Sequence, residues 1–197
     1  ELFKIGVGYW DLQGRWISKF DELKIESLND GDKIAAWETV MHIIGPYIYF
    51  AHLESIYLGL LARRSLVASN TRRAVDAARG KPVIFFADRF DHFLNQEGDG
   101  YAASIGGAAA ITTDAQRAWL KTDIKGTIPH ALIAINEGNT IVATEQFAKH
   151  IMDVQIVALV DFENDCVTTS LEAARILKDK LWGVRLDTVE DMVDASL

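Results

Sequence analysis

Four short stretches hold the residues whose types and spacing could do chemistry. VIFFADRFDH carries Phe86, Asp88, Arg89, Asp91 and His92, and GTIPHALIA carries Thr127 and His130. QIVALVDFEND carries Asp161 and Asp165, and LWGVRLDT carries Arg185 and Asp187. In three of the four, an apolar run passes straight into charged groups. Where strands and helices alternate, such ends converge on one face of a sheet or barrel, and ligands bind there. Arginines at that rim suit anions, carboxylates suit hydroxyl groups or a metal, and a neutral histidine suits a base or nucleophile.

Each residue also has a plainer reading. Thr127 is placed to cap a helix, with Pro129 in its first turn and His130 near its third position. A helix N-terminus there disfavours imidazolium and favours an anion, including a phosphoryl group on the ring. On spacing alone, a half-buried polar histidine is the favoured reading. Arg89 can fork onto a carboxylate, or pair at the surface with Asp88 or Asp91. Phe86 is either core or a face for stacking on a flat ring. Arg185 and Asp187 share one strand face by the period of two, and an Arg185–Asp161 ion pair is the structural alternative. Asp114, in AAAITTDAQ, reads by default as a helix cap, and Arg63, Arg64, Arg72 and Arg73 read as solvated helix charges.

The elements that must position these groups follow from periodicity. KIGVGYWDL and KIAAWETVMHIIGPYIYF read as strands, with a turn at Gly31-Asp32 and a break at Gly45-Pro46. From Leu53 the apolar period becomes helical and runs to Gly80, as one long helix or two joined near Ser69-Asn70. After that come a strand at 83–86, helices in GYAASIGGAAA, PHALIAINEG and TIVATEQFAKH, a strand at 155–160, the helix CVTTSLEAARILKDK and the strand LWGVRL. Apolar strands separated by helices predict a parallel α/β sheet or barrel, of which only about half is visible. The expected organisation is a β-rich part at 1–52, a connecting helix at 53–80 and a partial α/β barrel at 81–197.

The composition excludes several classes. The chain has 197 residues, 49% of them apolar and 24% charged, and no apolar run approaches the ~20 residues a bilayer span needs. The first residues do not read as a secretion signal, and Cys166, the single cysteine, supports neither a disulfide nor a zinc site. A cytoplasmic protein is expected. It lacks an initiating Met, which points to a piece of something longer. A net charge of −8 argues against a nucleic-acid partner, although local cations can still bind a small anion.

HLESIYLGLLARRSLVASNTRRAVDAA, RFDH with GDGYAASIGGAAAITTDAQ, GTIPHALIA, VDFENDC and GVRLDT, in that order, resemble the nicotinate phosphoribosyltransferase family over about residues 33–197. The resemblance implies an irregular type II phosphoribosyltransferase α/β barrel preceded by part of an α/β sandwich domain, in a homodimer with shared active sites. It implies that nicotinate and 5-phosphoribosyl 1-diphosphate give nicotinate mononucleotide and diphosphate, with Mg²⁺ and with ATP hydrolysis coupled through a phosphohistidine. By position, His130 is then the phosphorylated residue, Arg89 clamps the carboxylate and Phe86 stacks on the pyridine. Asp161, Arg185 and Asp187 contact ribose hydroxyls, Mg²⁺ or the ring, with Asp161 as the metal ligand. Asp114 and Thr127 join the substrate site, and the carry-over to Asp165 is weaker. The family's tyrosine-bearing N-terminal segment, later barrel strands and glycine-rich phosphate loop have no counterpart here. Two alternatives are a quinolinate- or nicotinamide-using relative and a non-catalytic module that binds a second copy. Quinolinate needs extra basic groups beside Arg89, which Asp88 argues against.

Overall fold

The computed structural model describes residues 2–119, 127–151 and 156–188, in two units divided between Ile124 and Lys125. The first unit begins with a short helix α1 (Leu2–Gly6) and two antiparallel pairs, β1 (Gly8–Trp10) with β2 (Trp16–Ser18) and β3 (Lys24–Ser27) with β4 (Met41–Ile44). The expected strand over 4–12 is therefore helical at its start. Leu2 and Phe3 turn onto the buried cluster of Val7, Phe50 and Leu53, and a short apolar run does not itself choose between helix and strand. The second expected strand shrinks to 41–44, and β2 and β3 went unread. The turn at Gly31-Asp32 is present, with the Asp32 N–H donating to the Asn29 carbonyl at 3.1 Å.

A single 24-residue helix, α2 (Glu54–Ala77), follows, and it packs along α3 (Gln96–Gly106) inside the first unit. Small residues allow that approach. A Cβ on Gly106 would lie 2.6 Å from the Ala68 carbonyl oxygen, and one on Gly100 would lie 2.2 Å from that of Gln116. Gly107 ends α3 in the left-handed region (φ 101°), with the N–H of Ala108 donating to the Ala103 carbonyl and that of Gly107 to Ser104. The helix expected to run through GYAASIGGAAA thus stops at Gly106, and its last residues begin a strand. That strand, β6 (Ala110–Ile111), lies parallel to β5 (Ile84–Phe85).

The second unit holds α4 (His130–Ile135), α5 (Thr140–His150), β7 (Ile156–Leu159), α6 (Cys166–Leu177) and β8 (Leu181–Arg185). β7 and β8 are parallel, with Ala158 beside Val184 and Leu159 beside Arg185. Ile156, Ala158 and Val160 pack with Ala173 and Leu177, while Leu159 turns to Ile128, Ile133 and Ala143. Burial on both faces explains why QIVALV reads as a continuous apolar run. The architecture is mixed α/β with short parallel pairs. No helix among the described residues is long and apolar enough to cross a membrane.

Candidate active site

The β7/β8 register builds the site in the second unit. With Leu159 paired to Arg185, Asp161 and Asp187 each lie two residues beyond, so the two strand ends deliver two carboxylates side by side. Asp161 is 1% exposed. Its Oδ2 accepts the main-chain N–H groups of Asp187 and, at 2.7 Å, of Thr188. Burial pushes this carboxyl upwards, but those N–H groups and the Thr188 hydroxyl outweigh it and hold the group below the ordinary carboxylate value. Arg185 donates into Asp187 Oδ1 at 2.6 Å. The ion pair in this cluster is therefore Arg185–Asp187, while Asp161 Oδ2 serves main-chain donors.

His130 completes the cluster. Its Nδ1 lies 3.6 Å from Asp187 Oδ2 and its Nε2 lies 3.9 Å from Asp161 Oδ1. Among the described residues, His130 Nε2 and Asp161 Oδ1 are both buried without a hydrogen-bond partner, so a donor-or-acceptor and an acceptor face one another. The ring is 31% exposed and tilts against Phe162, at a centroid separation of 6.2 Å. The local geometry corrects the expected cap. Pro129 is the cap residue, with φ −83° and ψ 156°, and His130 is the first helical residue of a helix only six residues long. Thr127 turns its hydroxyl to the Val157 carbonyl at 3.1 Å, anchoring the histidine loop to β7. Two carboxylates beside the ring are the nearest charges, which the expectation based on the helix dipole alone did not include. Asp165 caps α6, accepting the Thr168 N–H at 3.0 Å, and it has a structural role.

Phe86, Arg89 and Asp114 belong to the first unit, on the turns that follow the parallel strands β5 and β6. Arg89 is exposed and makes no ion pair among the described residues, so its surface pairing with Asp88 or Asp91 is not formed. Asp91 instead pairs with Arg63, which holds its carboxyl below the ordinary value. Arg63 is the correction among the helix arginines. It also forks onto Asp99 with two bonds of 2.8 Å and is pushed up in consequence, and Arg64 lies 4.5 Å over the Trp119 ring. Asp88 turns Oδ1 inward, where it is buried without a hydrogen-bond partner among the described residues. Asp114 is exposed at the head of a 3-10 turn, and its carboxylate bonds Arg117 rather than the turn's N–H groups.

Sequence reasoning passed over Thr188 and Gln96. LDT did contain a signal for the first, because a Thr after a strand-end Asp has an N–H and a hydroxyl to offer a neighbouring carboxylate. Among the described residues no group of three or more His, Cys, Asp or Glu side chains is arranged to hold a metal. Asp161 Oδ1, buried with no hydrogen-bond partner among the described residues, offers one oxygen donor and no metal cage.

In mixed α/β folds, polar groups at the ends of parallel strands are where small ligands bind. No family model and no curated protein matches the sequence. Among solved structures the chain is similar to nicotinate-nucleotide pyrophosphorylase from Pyrococcus furiosus, at 33% identity and a TM-score of 0.79 over 85% of this chain and 43% of that one. It is similar in fold to NadC from Streptococcus pyogenes, at 16% identity and a TM-score of 0.60 over 89% of this chain and 66% of that one. A NadC deletion mutant gives 18% identity and 0.59, over 90% and 67%. The chain spans less than half the length of the first of these structures.

Proposed function

We propose that the protein is a phosphoribosyltransferase of NAD biosynthesis, forming nicotinate mononucleotide and diphosphate from 5-phosphoribosyl 1-diphosphate and a pyridine carboxylate. The observation that carries this reading is the His130, Asp161, Arg185 and Asp187 cluster at the ends of two parallel strands. The 33% identity to a nicotinate-nucleotide pyrophosphorylase supports the class. Between candidate bases, the similarity supports quinolinate, with release of CO₂ from the 2-carboxylate, over ATP-coupled use of nicotinate. The inward turn of Asp88 Oδ1 also weakens the objection to a second carboxylate beside Arg89.

In this reading Arg89 forks onto the pyridine carboxylate and Phe86 stacks on the ring. Arg185 holds Asp187 in place, and Asp187 with Asp161 faces the ribose hydroxyls. By the family resemblance, Asp114 is assigned a place near the pyridine and Thr127, separately, a substrate-binding role. Magnesium, held by Asp161 and the diphosphate oxygens, would neutralise charge on the leaving group. The second reading, nicotinate with ATP and a phosphohistidine at His130, rests on a buried ring nitrogen with no hydrogen-bond partner among the described residues. A homodimer is proposed from the family resemblance.

The test uses the full-length protein with 5-phosphoribosyl 1-diphosphate, Mg²⁺ and ring-labelled quinolinate or nicotinate, with and without ATP. Nucleotide and CO₂ from quinolinate without ATP are expected. Nucleotide from nicotinate alone, with acid-labile label from γ-labelled ATP that His130→Ala abolishes, moves the assignment to the second reading. A protein that makes no nucleotide from either base and binds only a second copy of itself is not this enzyme.

A further inference from the structure

In the first unit, the β5/β6 ladder ends at Phe85 and Ile111, yet the residues that follow must hold Arg89 and Asp114 in fixed positions. Beyond the ladder one side chain spans the two turns. The Gln96 amide, on the first residue of α3, donates from Nε2 to the Asp88 carbonyl at 3.0 Å and accepts at Oε1 from the Thr113 hydroxyl at 2.7 Å. The Asp88 carbonyl lies in the peptide plane that joins Asp88 to Arg89, so pinning it orients the backbone on which the guanidinium is carried. Thr113 immediately precedes Asp114. It is held in turn by Gln116, which is 1% exposed. Gln116 Oε1 accepts the N–H groups of Thr112 at 2.9 Å and Thr113 at 3.3 Å, and the Gln116 N–H donates to the Thr113 hydroxyl at 3.2 Å.

We infer that Gln96 is a positioning residue that sets the spacing between the Arg89 turn and the Asp114 turn, and through it the affinity for the pyridine carboxylate. The substrate in this statement rests on the phosphoribosyltransferase reading above. The chemistry selects a primary amide, since its head offers a donor and an acceptor together, whereas a carboxylate offers acceptors alone. Gln96→Glu keeps the shape and the Thr113 bond but sets an oxygen against the Asp88 carbonyl, and Gln96→Leu removes both bonds. α3 anchors the clamp because its small residues lock it to α2 and to the turn at Gln116, so the amide works from a rigid base.

The experiment measures both variants in the full-length protein by steady-state kinetics and by amide hydrogen exchange. The KM for the pyridine carboxylate should rise about fivefold to tenfold in each variant, the loss of a net hydrogen bond, with the KM for 5-phosphoribosyl 1-diphosphate held within about twofold. Exchange in Gln96→Glu should quicken at Arg89 and Phe90 and stay unchanged at 113–116, while Gln96→Leu should quicken both turns. An unchanged carboxylate KM, or two KM values rising together, overturns the proposal. Should the wild type bind no pyridine carboxylate, the functional reading falls. Exchange then decides the clamp alone, and equal protection in wild type and both variants rejects it.

Discussion

Arg63 on α2 and Asp99 on α3, 36 positions apart, form a two-pronged pair in which Nε reaches Oδ1 and Nη2 reaches Oδ2, each at 2.8 Å. Asp99 is 5% exposed, and among the described residues its charge is paired with this guanidinium. The same Nη2 also reaches Asp91, on the turn that carries Arg89. One arginine therefore ties the long helix to the small-residue helix and to the turn that carries Arg89. Removing it, as in Arg63→Met, leaves a buried carboxylate without a cation and should cost ~3 kcal/mol. Thermal unfolding should show a melting temperature lower by roughly 6–12 °C. In the same variant the Asp91 carboxyl should return towards its ordinary value, which an NMR titration would read. A variant as stable as the wild type would mean that Asp99 finds another partner.

Gly100→Ala tests the close packing of α3. The added Cβ would sit 2.2 Å from a main-chain oxygen of Gln116, which cannot swing aside as a side-chain end can. A loss of ~1–3 kcal/mol or more is expected from such overpacking, with the Gln96 clamp displaced because Gln116 must move. Denaturant midpoints for Gly100→Ala against Gly98→Ala make the comparison. The Gly98 Cβ would meet only the head of Arg64, at 3.0 Å, so the second change should be the milder one.

Asp161→Asn tests the pinning of the strand ends. The folded state holds this carboxyl below its ordinary value of 3.8, so its contribution is present above that pH and fades as pH falls through the folded value. At neutral pH the substitution should cost ~1.5–3 kcal/mol, the range for hydrogen bonds to a charged group. Unfolding curves for both proteins should differ at pH 7 and draw together below about pH 3.8. A gap that stays constant down to the acid limit would assign the loss to shape rather than charge.

Arg89→Lys addresses the proposed substrate contact. The exposed guanidinium is committed to no ion pair among the described residues, so its fork is available for a carboxylate. A lysine keeps the charge and loses the bidentate geometry. The KM for the pyridine carboxylate should rise tenfold to a hundredfold, the equivalent of ~1.5–3 kcal/mol, with a smaller change for the phosphoribosyl donor. An unmoved carboxylate constant would remove Arg89 from the site.

Local pattern was enough for the elements whose signal is contained in a few consecutive residues. TIVATEQFAKH has apolar positions at helical spacing after Asn139, which caps it through its side chain at 2.9 Å from the Val142 N–H, and α5 runs over those residues. QIVALV was legible as a buried strand and LWGVRL as its parallel neighbour, with charged residues at both strand ends, although β8 leaves Trp182 and Val184 exposed instead of burying both faces. Where a short segment could satisfy two patterns, long-range packing chose. Residues 4–6 turned helical to seat Leu2 and Phe3 on Phe50 and Leu53, and Ala110 left the helical run for a strand because β5 was there to pair with.

The partners in the candidate site were set by tertiary structure. Arg63 read as solvated because Asp99 is remote in sequence, and an Arg185 ion pair was the structural alternative for Asp161 because the N–H groups of Asp187 and Thr188 come within reach only once β8 lies beside β7. Thr127 chose a carbonyl 30 positions away over the cap that its place in GTIPH offered. The sequence by itself determined which residues are apolar at which period, and hence the elements and the strand ends that bear charge. Only the fold decided what each charge faces, because a hydrogen bond depends on a few tenths of an ångström across a register that no local pattern encodes.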